Sequence, residues 1–265
     1  MAQDESLVEY TRDGNLGIIA FNRPEKLNAI SDDVVLELSE AMHEFDMDEN
    51  AWVGIIHGHG RAFSAGADVQ QRQLRPQEEA AKLGGLRGRA AAAASNLFTE
   101  SVNWKPVVAA VHGYCLGMAL GVALECEIVI ADEDAQFQLT EVGRGLGGAR
   151  YVKLMQYRGL GSFATEIGMT GRFFSGKEAA SNGVINSAVP SGLYLDAARE
   201  IAGEIASNPP LSVRANVRSR RWQIDQIKRS SDHETVPLKL YLTEDFHESA
   251  LAFAEKRAPR PFLGR

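Results

Sequence analysis

The chain has 265 residues, of which 45% are hydrophobic and 24% are charged. This balance is typical of a folded globular protein with a sizeable core, and it excludes a disordered or collagen-like chain. The 28 basic and 35 acidic residues give a net charge of −7, which argues against general binding of nucleic acid. Cys115 and Cys126 lie in apolar sequence and predict buried thiols in a reduced, cytoplasmic compartment. The polar start MAQDES does not resemble a secretory signal.

The first predicted elements are a hairpin and a helix. Residues 7–24 form two strand-like runs around Asp13-Gly14-Asn15, and an Asp-Gly pair suits the tight turn of a hairpin. Ser31, followed by two aspartates, predicts a helix N-cap. The apolar residues after this cap recur at helical spacing and predict one buried face, formed by Val34, Val35, Leu38, Met42 and Phe45.

Three short apolar runs predict buried strands at 52–57, 107–111 and 127–131, and a long helical region is expected over 68–103. Apolar strands alternating with helices indicate an α/β fold with covered sheets. Residues 106–124 are apolar over the length of a membrane helix. His112 and three glycines within this run favour a strand, a turn and a core helix instead, so we expect no membrane span.

The chain from Ser162 onward is predicted to be mainly helical, with one strand at 184–190. The pair Pro209-Pro210 marks a boundary, which divides the chain into a core at 1–207 and a helical C-terminal region at 208–265. Two amphipathic helices are predicted there, at about 211–229 and 234–256. Their basic residues indicate a solvated or subunit-facing surface: Arg214, Arg218, Arg220, Arg221, Lys228 and Arg229.

Several short motifs resemble functional sites but are better explained by structural roles. Residues 143–148, GRGLGG, match a dinucleotide-binding pattern, but they follow no first strand and precede no second strand with a terminal acid. AFSAG at 62–66 lacks a glycine of the hydrolase nucleophile elbow, so Ser64 is interpreted as a packed residue. His57 and His59 have no third metal ligand nearby and are interpreted as loop histidines. We therefore expect no metal site.

Two glycine-rich transitions from strand to helix carry more information. The strand at 52–57 leads to Ala65-Gly66-Ala67-Asp68, and the strand at 107–111 leads to a segment from Gly113 to Met118. Small residues after a strand leave backbone N–H groups free to bind a ligand. Two such ends that converge would form an oxyanion hole, and two that do not would be ordinary tight turns.

These segments resemble the crotonase superfamily, the enoyl-CoA hydratases and isomerases, over about residues 5–200. The resemblance rests on FNRPEKLNAIS at 21–31, GRAFSAGAD at 60–68, KPVVAAVHGYCLG at 105–117, ADEDAQFQLTEVGRG at 131–145 and MTGR at 169–172. It implies an α/β crotonase-like spiral of ββα units with a helical C-terminal trimerisation region. It also implies a homotrimer or hexamer, an acyl-CoA substrate, and no cofactor apart from the coenzyme A of that substrate.

The resemblance further implies roles for individual residues. The N–H groups of Ala67 and Met118 match the two donors of the family's oxyanion hole, although most members have glycine where this chain has Met118. That methionine would add bulk near the acyl group. The remaining matches are to positions that bind coenzyme A or flank the binding loops: Arg23, Lys26, Ala65, Gly66, Asp68 and Gly117.

The family's hydratases use two glutamates, and only the second is matched here, by Glu141. The first is expected three residues after Met118, where the chain has Gly121. One-glutamate members include enoyl-CoA isomerases and hydratase-lyases. The resemblance therefore leaves open an isomerase, a lyase or hydrolase, and an acyl-CoA-binding protein without catalysis, whereas the family's RNA-binding role fits the net charge poorly.

Two further acids lie near Gly121. Glu125 stands one helical turn beyond it and could be a displaced acid, although a structural ion pair is the favoured reading. Glu127 is interpreted as structural. The short loop Gly145–Gly148 replaces a longer family turn and indicates a reshaped pocket floor.

Overall fold

The computed structural model describes residues 6–82, 97–98 and 100–265. The strands are β1 (Val8–Asp13), β2 (Leu16–Phe21), β3 (Val53–Gly58), β4 (Val107–Val111), β5 (Tyr114–Leu116), β6 (Ile128–Asp132), β7 (Gln136–Gln138), β8 (Phe174–Ser175) and β9 (Ser187–Val189). The helices are α1 (Asp32–Met47), α2 (Val69–Arg72), α3 (Gln77–Lys82), α4 (Met118–Glu125), α5 (Ala149–Arg158), α6 (Gly161–Thr170), α7 (Gly176–Ser181), α8 (Tyr194–Ala206), α9 (Pro210–Thr235) and α10 (Glu244–Ala254).

Six strands form the larger sheet, in the order β1-β2-β3-β4-β6-β9. The β1–β2 hairpin is antiparallel, and every later pair is parallel. Gly14 takes a positive φ of 58° in the hairpin turn, as predicted from the Asp-Gly pair. The predicted α/β class and its crotonase-like arrangement are confirmed.

Both faces of the large sheet are covered, which explains why its central strands read as unbroken apolar runs. Ile19, Ile56 and Ala109 belong to the core on the α1 face, while Ile55 and Val108 pack with α8 on the other. Helix α1 begins as predicted, with the Ser31 hydroxyl accepting a hydrogen bond from the Val34 N–H at 3.2 Å. The five apolar residues predicted for its inner face are all buried.

A smaller sheet, β5-β7-β8, was not predicted. Its strands have only two or three residues each, too few to show a strand periodicity. The sheet nevertheless matters for the site, because it connects the segment before Met118 to the segment before Glu141.

The C-terminal region is helical, but its helix boundaries were predicted wrongly. Helix α9 continues through the expected break to Thr235, since the hydroxyls of Ser230 and Ser231 are satisfied within the helix, by Glu234 and the Ile227 carbonyl. Two 3-10 turns follow, and α10 starts only at Glu244. The division at residue 207 stays a prediction.

Other boundaries also shift. The strand predicted at 184–190 is confined to β9, because Val184 and Ile185 turn back to donate hydrogen bonds to the Ala179 carbonyl. The helical region predicted over 68–103 contains the short helices α2 and α3, and much of the remainder lies outside the described residues. Across the described ranges, no helix combines the length and apolar character needed to cross a bilayer.

Candidate active site

The two glycine-rich transitions lie side by side. Ser64 pairs with Cys115 in a parallel bridge, and this bridge brings Gly66 against the backbone that precedes Met118. A Cβ on Gly66 would lie 2.4 Å from the Leu116 carbonyl oxygen, and Gly66 has a φ of +84°. Only glycine combines that backbone conformation with so close an approach, so the sequence dictates the contact.

The backbone N–H groups of Ala67 and Met118 are both available at this contact. Ala67 lies beside Ile30 in a parallel bridge, in which Ile30 bonds to the residues on either side of Ala67 and not to Ala67 itself. Met118 is the first residue of α4. Among the backbone hydrogen bonds of the described residues, neither N–H is used. Two unused donors beside each other, one of them at a helix N-terminus, are suited to an oxygen that carries negative charge.

Glu141 faces the same contact from the other side. The Gly117 N–H donates to the Gln138 carbonyl at 2.9 Å, which draws the segment after β7 towards α4. A Cβ on Gly117 would lie 3.1 Å from Oε1 of Glu141, so the carboxylate rests against the residue that precedes Met118. The Thr140 hydroxyl lies 3.5 Å from Oε2. Burial raises the pKa of Glu141 to about 7, as expected for a carboxylate taken out of water.

These groups line one cavity of about 290 Å³. Ala67, Met118 and Glu141 lie on its wall together with Leu146 and Gly147 of the shortened loop. The C-terminal region supplies another part of the cavity wall, which consists of Ser231, Asp232, Thr235, Val236, Lys239, Leu240 and Tyr241. The structure therefore gathers the three predicted catalytic residues at one pocket.

Gly121 also lines the cavity, and the space above it is filled by an aromatic ring. A Cβ on Gly121 would lie 2.3 Å from Cε1 of Tyr151. Any side chain at position 121 would therefore have to displace Tyr151. The Tyr151 ring on α5 thus occupies the space that a glutamate side chain at position 121 would need.

Glu125 forms an ion pair with Arg150, in agreement with the structural reading favoured from the sequence. Glu127 is also paired: Arg221 donates to its carboxylate at 3.0 Å, and the Val107 N–H donates at 2.8 Å. Arg221 lowers the pKa of Glu127 although burial opposes this. Arg220 donates to the Glu125 carbonyl at 2.6 Å. Arg220 and Arg221 therefore bind the core of their own chain, unlike the solvated or subunit-facing surface that was predicted.

The residues predicted to bind coenzyme A form one cluster at the edge of the Ala67 loop. The Ala65 N–H donates to the Leu27 carbonyl at 2.8 Å, next to the 3-10 turn that carries the exposed Lys26. Arg23 points inward: it donates to the Ala29 carbonyl at 2.6 Å and lies 3.5 Å from Asp68. Asp68 caps α2, and Gly66 and Gly117 form the loop contact described above.

The remaining sequence candidates have structural environments. Ser64 is buried and donates to the Asn28 carbonyl at 2.7 Å. His57 lies within β3 rather than in a loop, and its ring packs edge-on against the His59 ring, with 5.2 Å between the ring centroids. Both cysteines are buried free thiols. Within the described residues, no group of three or more acidic, histidine or cysteine side chains is placed to hold a metal ion.

Sequence reasoning missed Arg150 and Tyr151, which directly follow the glycine-rich loop. Neither residue belongs to a motif, and only the contact between α4 and α5 reveals them. The lining from the C-terminal region was missed for the same reason. Sequence patterns predict faces of single elements, not which faces meet across a cavity.

Comparison with known proteins identifies close structural and sequence relatives. The family model described as enoyl-CoA hydratase/isomerase matches residues 11–262. The chain is 34% identical to mevalonyl-coenzyme A hydratase sidH of Aspergillus fumigatus, over 92% of this chain and 90% of that protein. It is 30% identical to 2,3-dehydroadipyl-CoA hydratase of Escherichia coli, over 94% and 95%. An enoyl-CoA hydratase/isomerase structure from Mycobacterium paratuberculosis superposes with a TM-score of 0.81 at 25% identity, covering 93% and 98%.

Proposed function

Since the chain belongs to the enoyl-CoA hydratase/isomerase family and acts on acyl-CoA thioesters, we propose that Glu141 is its general acid and base. The N–H groups of Ala67 and Met118 form the oxyanion hole in this proposal. One observation supports it: a buried carboxylate with a pKa of about 7 and no ion pair among the described residues lines the same cavity as two backbone N–H groups that no described acceptor uses.

The proposed chemistry starts at the thioester carbonyl. Its oxygen accepts hydrogen bonds from the two N–H groups, which stabilise the negative charge of an enolate more than they stabilise the neutral carbonyl. Glu141 then takes a proton from the acyl carbon chain. A carboxyl group with a pKa near neutrality can both accept and return a proton at physiological pH.

One carboxylate suffices to move a double bond. In an isomerisation Glu141 would take a proton from C2 of a 3-enoyl-CoA and return it to C4 of the resulting dienolate, so the double bond moves to C2–C3 and the mass stays unchanged. Hydration would require the same carboxylate to activate a water molecule that adds to C3. With Gly121 at the first glutamate position and Tyr151 against it, the geometry favours the one-carboxylate reaction, and hydration is the second candidate because the curated relatives above are named hydratases.

The test is mass spectrometry of 2-enoyl-, 3-enoyl-, 3-hydroxyacyl- and aromatic enoyl-CoA thioesters incubated with wild type and Glu141→Gln. A double bond moved at constant mass identifies an isomerase, and a change of one water identifies a hydratase. Release of free coenzyme A or cleavage of the acyl chain identifies a hydrolase or a lyase.

In each case Glu141→Gln should lower kcat by about a hundredfold or more, while acyl-CoA binding stays nearly unchanged. Equal turnover by wild type and Glu141→Gln would refute the assignment of Glu141. Binding without turnover across the whole panel would instead establish an acyl-CoA-binding protein.

The proposal extends to binding and assembly. Coenzyme A enters only as part of the substrate, with the exposed Lys26 and the Ala65–Asp68 loop near its phosphates and adenine, and with Arg23 paired to Asp68 of that loop. We expect a trimer or hexamer, because large apolar side chains of the C-terminal region are exposed, among them Leu211 at 75% and Trp222 at 60%. Light scattering coupled to size-exclusion chromatography would measure the assembly. A cytoplasmic location stays a prediction.

A further inference from the structure

The cavity wall changes from apolar to charged beyond Gly121. Glu125 and Arg150 both line the cavity, and Nη2 of Arg150 donates a hydrogen bond to the Glu125 carboxylate. Their side chains are only 8% and 15% exposed. A buried ion pair is expensive to desolvate and adds little to stability, so its position on a pocket wall calls for a functional explanation.

Arg150 has hydrogen-bond donors to spare. A guanidinium group presents five N–H donors in a planar fork. Among the described residues Arg150 donates only through Nη2, and its Nε is buried without a partner. Glu125 uses one of these donors, and among the described residues no other acceptor takes a hydrogen bond from Arg150.

The ion pair lies in the direction in which an acyl chain would extend. Helix α4 runs from Met118, at the proposed oxyanion hole, to Glu125, and seven residues of helix span about 10 Å. Gly121 lies between them and contributes no side chain, while Val122 adds an apolar wall on the same cavity. A thioester carbonyl held at Met118 can therefore place the far end of its acyl chain near Arg150.

We propose that this enzyme is selective for acyl-CoA thioesters whose acyl chain ends in an oxygen acceptor, a carboxylate or a hydroxyl, which Arg150 binds. This inference rests on the proposed function, because it assumes that the thioester lies between Ala67 and Met118. A methyl-terminated chain would leave the spare donors of Arg150 unpaired, and a site built for a polar group discriminates strongly against an analogue that lacks it.

The experiment measures binding of saturated thioesters, which have no double bond to hydrate or move. Isothermal calorimetry compares hexanoyl-CoA, adipyl-CoA and 6-hydroxyhexanoyl-CoA, which have equal chain lengths and end in a methyl, a carboxylate and a hydroxyl group. Wild type should bind at least one oxygen-terminated thioester about tenfold or more tightly than hexanoyl-CoA. Preference for adipyl-CoA or for 6-hydroxyhexanoyl-CoA then identifies the terminal group.

Two variants should move this preference in opposite directions. Arg150→Met should abolish it without weakening the binding of hexanoyl-CoA. Glu125→Gln removes the competing negative charge, so it should increase the preference for adipyl-CoA. Arg150→Met could fail to fold because it leaves Glu125 unpaired. In that case the double variant Glu125→Gln/Arg150→Met removes both charges, and it should likewise lose the preference for oxygen-terminated thioesters.

Lys153→Met is the matched control, since Lys153 lies on the same helix but pairs with Glu234 and does not line the cavity. It should leave all three affinities in their wild-type ratio. Equal or tighter binding of hexanoyl-CoA by wild type, or an unchanged preference in Arg150→Met, would overturn the inference. Because binding is measured without turnover, these outcomes are independent of whether Glu141→Gln loses activity.

Discussion

The end of α4 and the segment after β7 both contain buried glutamates, but the carboxylates in these two places have different neighbours. At the end of α4, Glu125 and Glu127 face Arg150 and Arg221. After β7, the Glu141 carboxylate has the Thr140 hydroxyl and the backbone N–H groups of Thr140 and Glu141 as its neighbours, and it forms no ion pair among the described residues. Arg221 keeps the pKa of Glu127 below its ordinary value, whereas burial raises the pKa of Glu125 despite Arg150 and raises that of Glu141 to about 7.

This difference separates a structural role from a reactive one. A carboxylate whose pKa is lowered by arginine, such as that of Glu127, stays ionised near neutral pH and connects elements, so it contributes to the fold. A buried carboxylate that forms no ion pair, such as that of Glu141, can exchange a proton near neutral pH, and perturbed pKa values of this kind cluster at functional sites. The chain thus uses the same residue type for two purposes and distinguishes them by their neighbours.

The largest effect on stability is expected for Glu127→Ala. Removing this carboxylate leaves Arg221 buried without its main partner, so we expect the free energy of unfolding to fall by about 3–5 kcal/mol. Urea denaturation would measure it. The exposed Glu49→Ala serves as the control, with an expected change within about 0.5 kcal/mol. A similarly small change in the free energy of unfolding for both variants would show that the Glu127–Arg221 pair has no structural role.

Placing an acid at the position of the missing glutamate should not create a two-glutamate site. Gly121→Glu must displace the Tyr151 ring, and overpacking of this kind costs about 1–3 kcal/mol. The double variant Gly121→Glu/Tyr151→Ala should recover part of that loss. Urea denaturation and turnover would be measured for both. Full stability of the single variant would show that Tyr151 moves aside freely.

The raised pKa of Glu141 predicts a pH-dependent stability. Between about pH 4.5 and 7 the unfolded chain releases this proton while the folded chain retains it, so the contribution of Glu141 to stability falls as pH rises. Glu141→Gln removes this loss. Because the carboxylate is partly open to the cavity, we expect the variant to be more stable than wild type by about 1–2 kcal/mol above pH 7, and equal to it near pH 4. Unfolding curves at both pH values would test this, and a constant difference would contradict it.

The smallest effect is expected for Met118→Gly. The backbone N–H survives this change, so kcat should fall by less than about tenfold, whereas loss of one oxyanion donor costs a hundredfold or more. Stability should decrease by about 0.5–1 kcal/mol, since glycine is less favourable in a helix. Steady-state kinetics would measure the first effect and urea denaturation the second. A hundredfold loss of kcat would assign a role to the methionine side chain.

Much of the large sheet and α1 could be predicted from local patterns. The apolar runs around Ile55, Val108 and Val129 are buried strands, and Ser31 caps α1. The two- and three-residue strands of the second sheet could not be predicted, because their pairing depends on partners far away in the chain. The end of α9 was misplaced because the polar run after Arg229 continues as helix, with the hydroxyls of Ser230 and Ser231 bonded within it.

The predicted site residues Ala67, Met118 and Glu141 line one cavity, and their identification depended on family resemblance more than on periodicity. Arg150 and Tyr151 follow a glycine loop without any pattern of their own, and only the packing of α5 against α4 brings them to the cavity. The raised pKa of Glu141 was expected in general terms from an apolar site, but its physical cause is the three-dimensional burial of the side chain.

The cavity takes its lining from segments that are far apart in the sequence. The Ala67 loop lies in the first third of the chain, Glu141 near the middle, and Thr235 to Tyr241 close to the end. Closing loops of this length costs conformational entropy and slows folding. The pocket is complete only when all three segments are in place, so substrate affinity should return no earlier than the fold itself in a refolding chain.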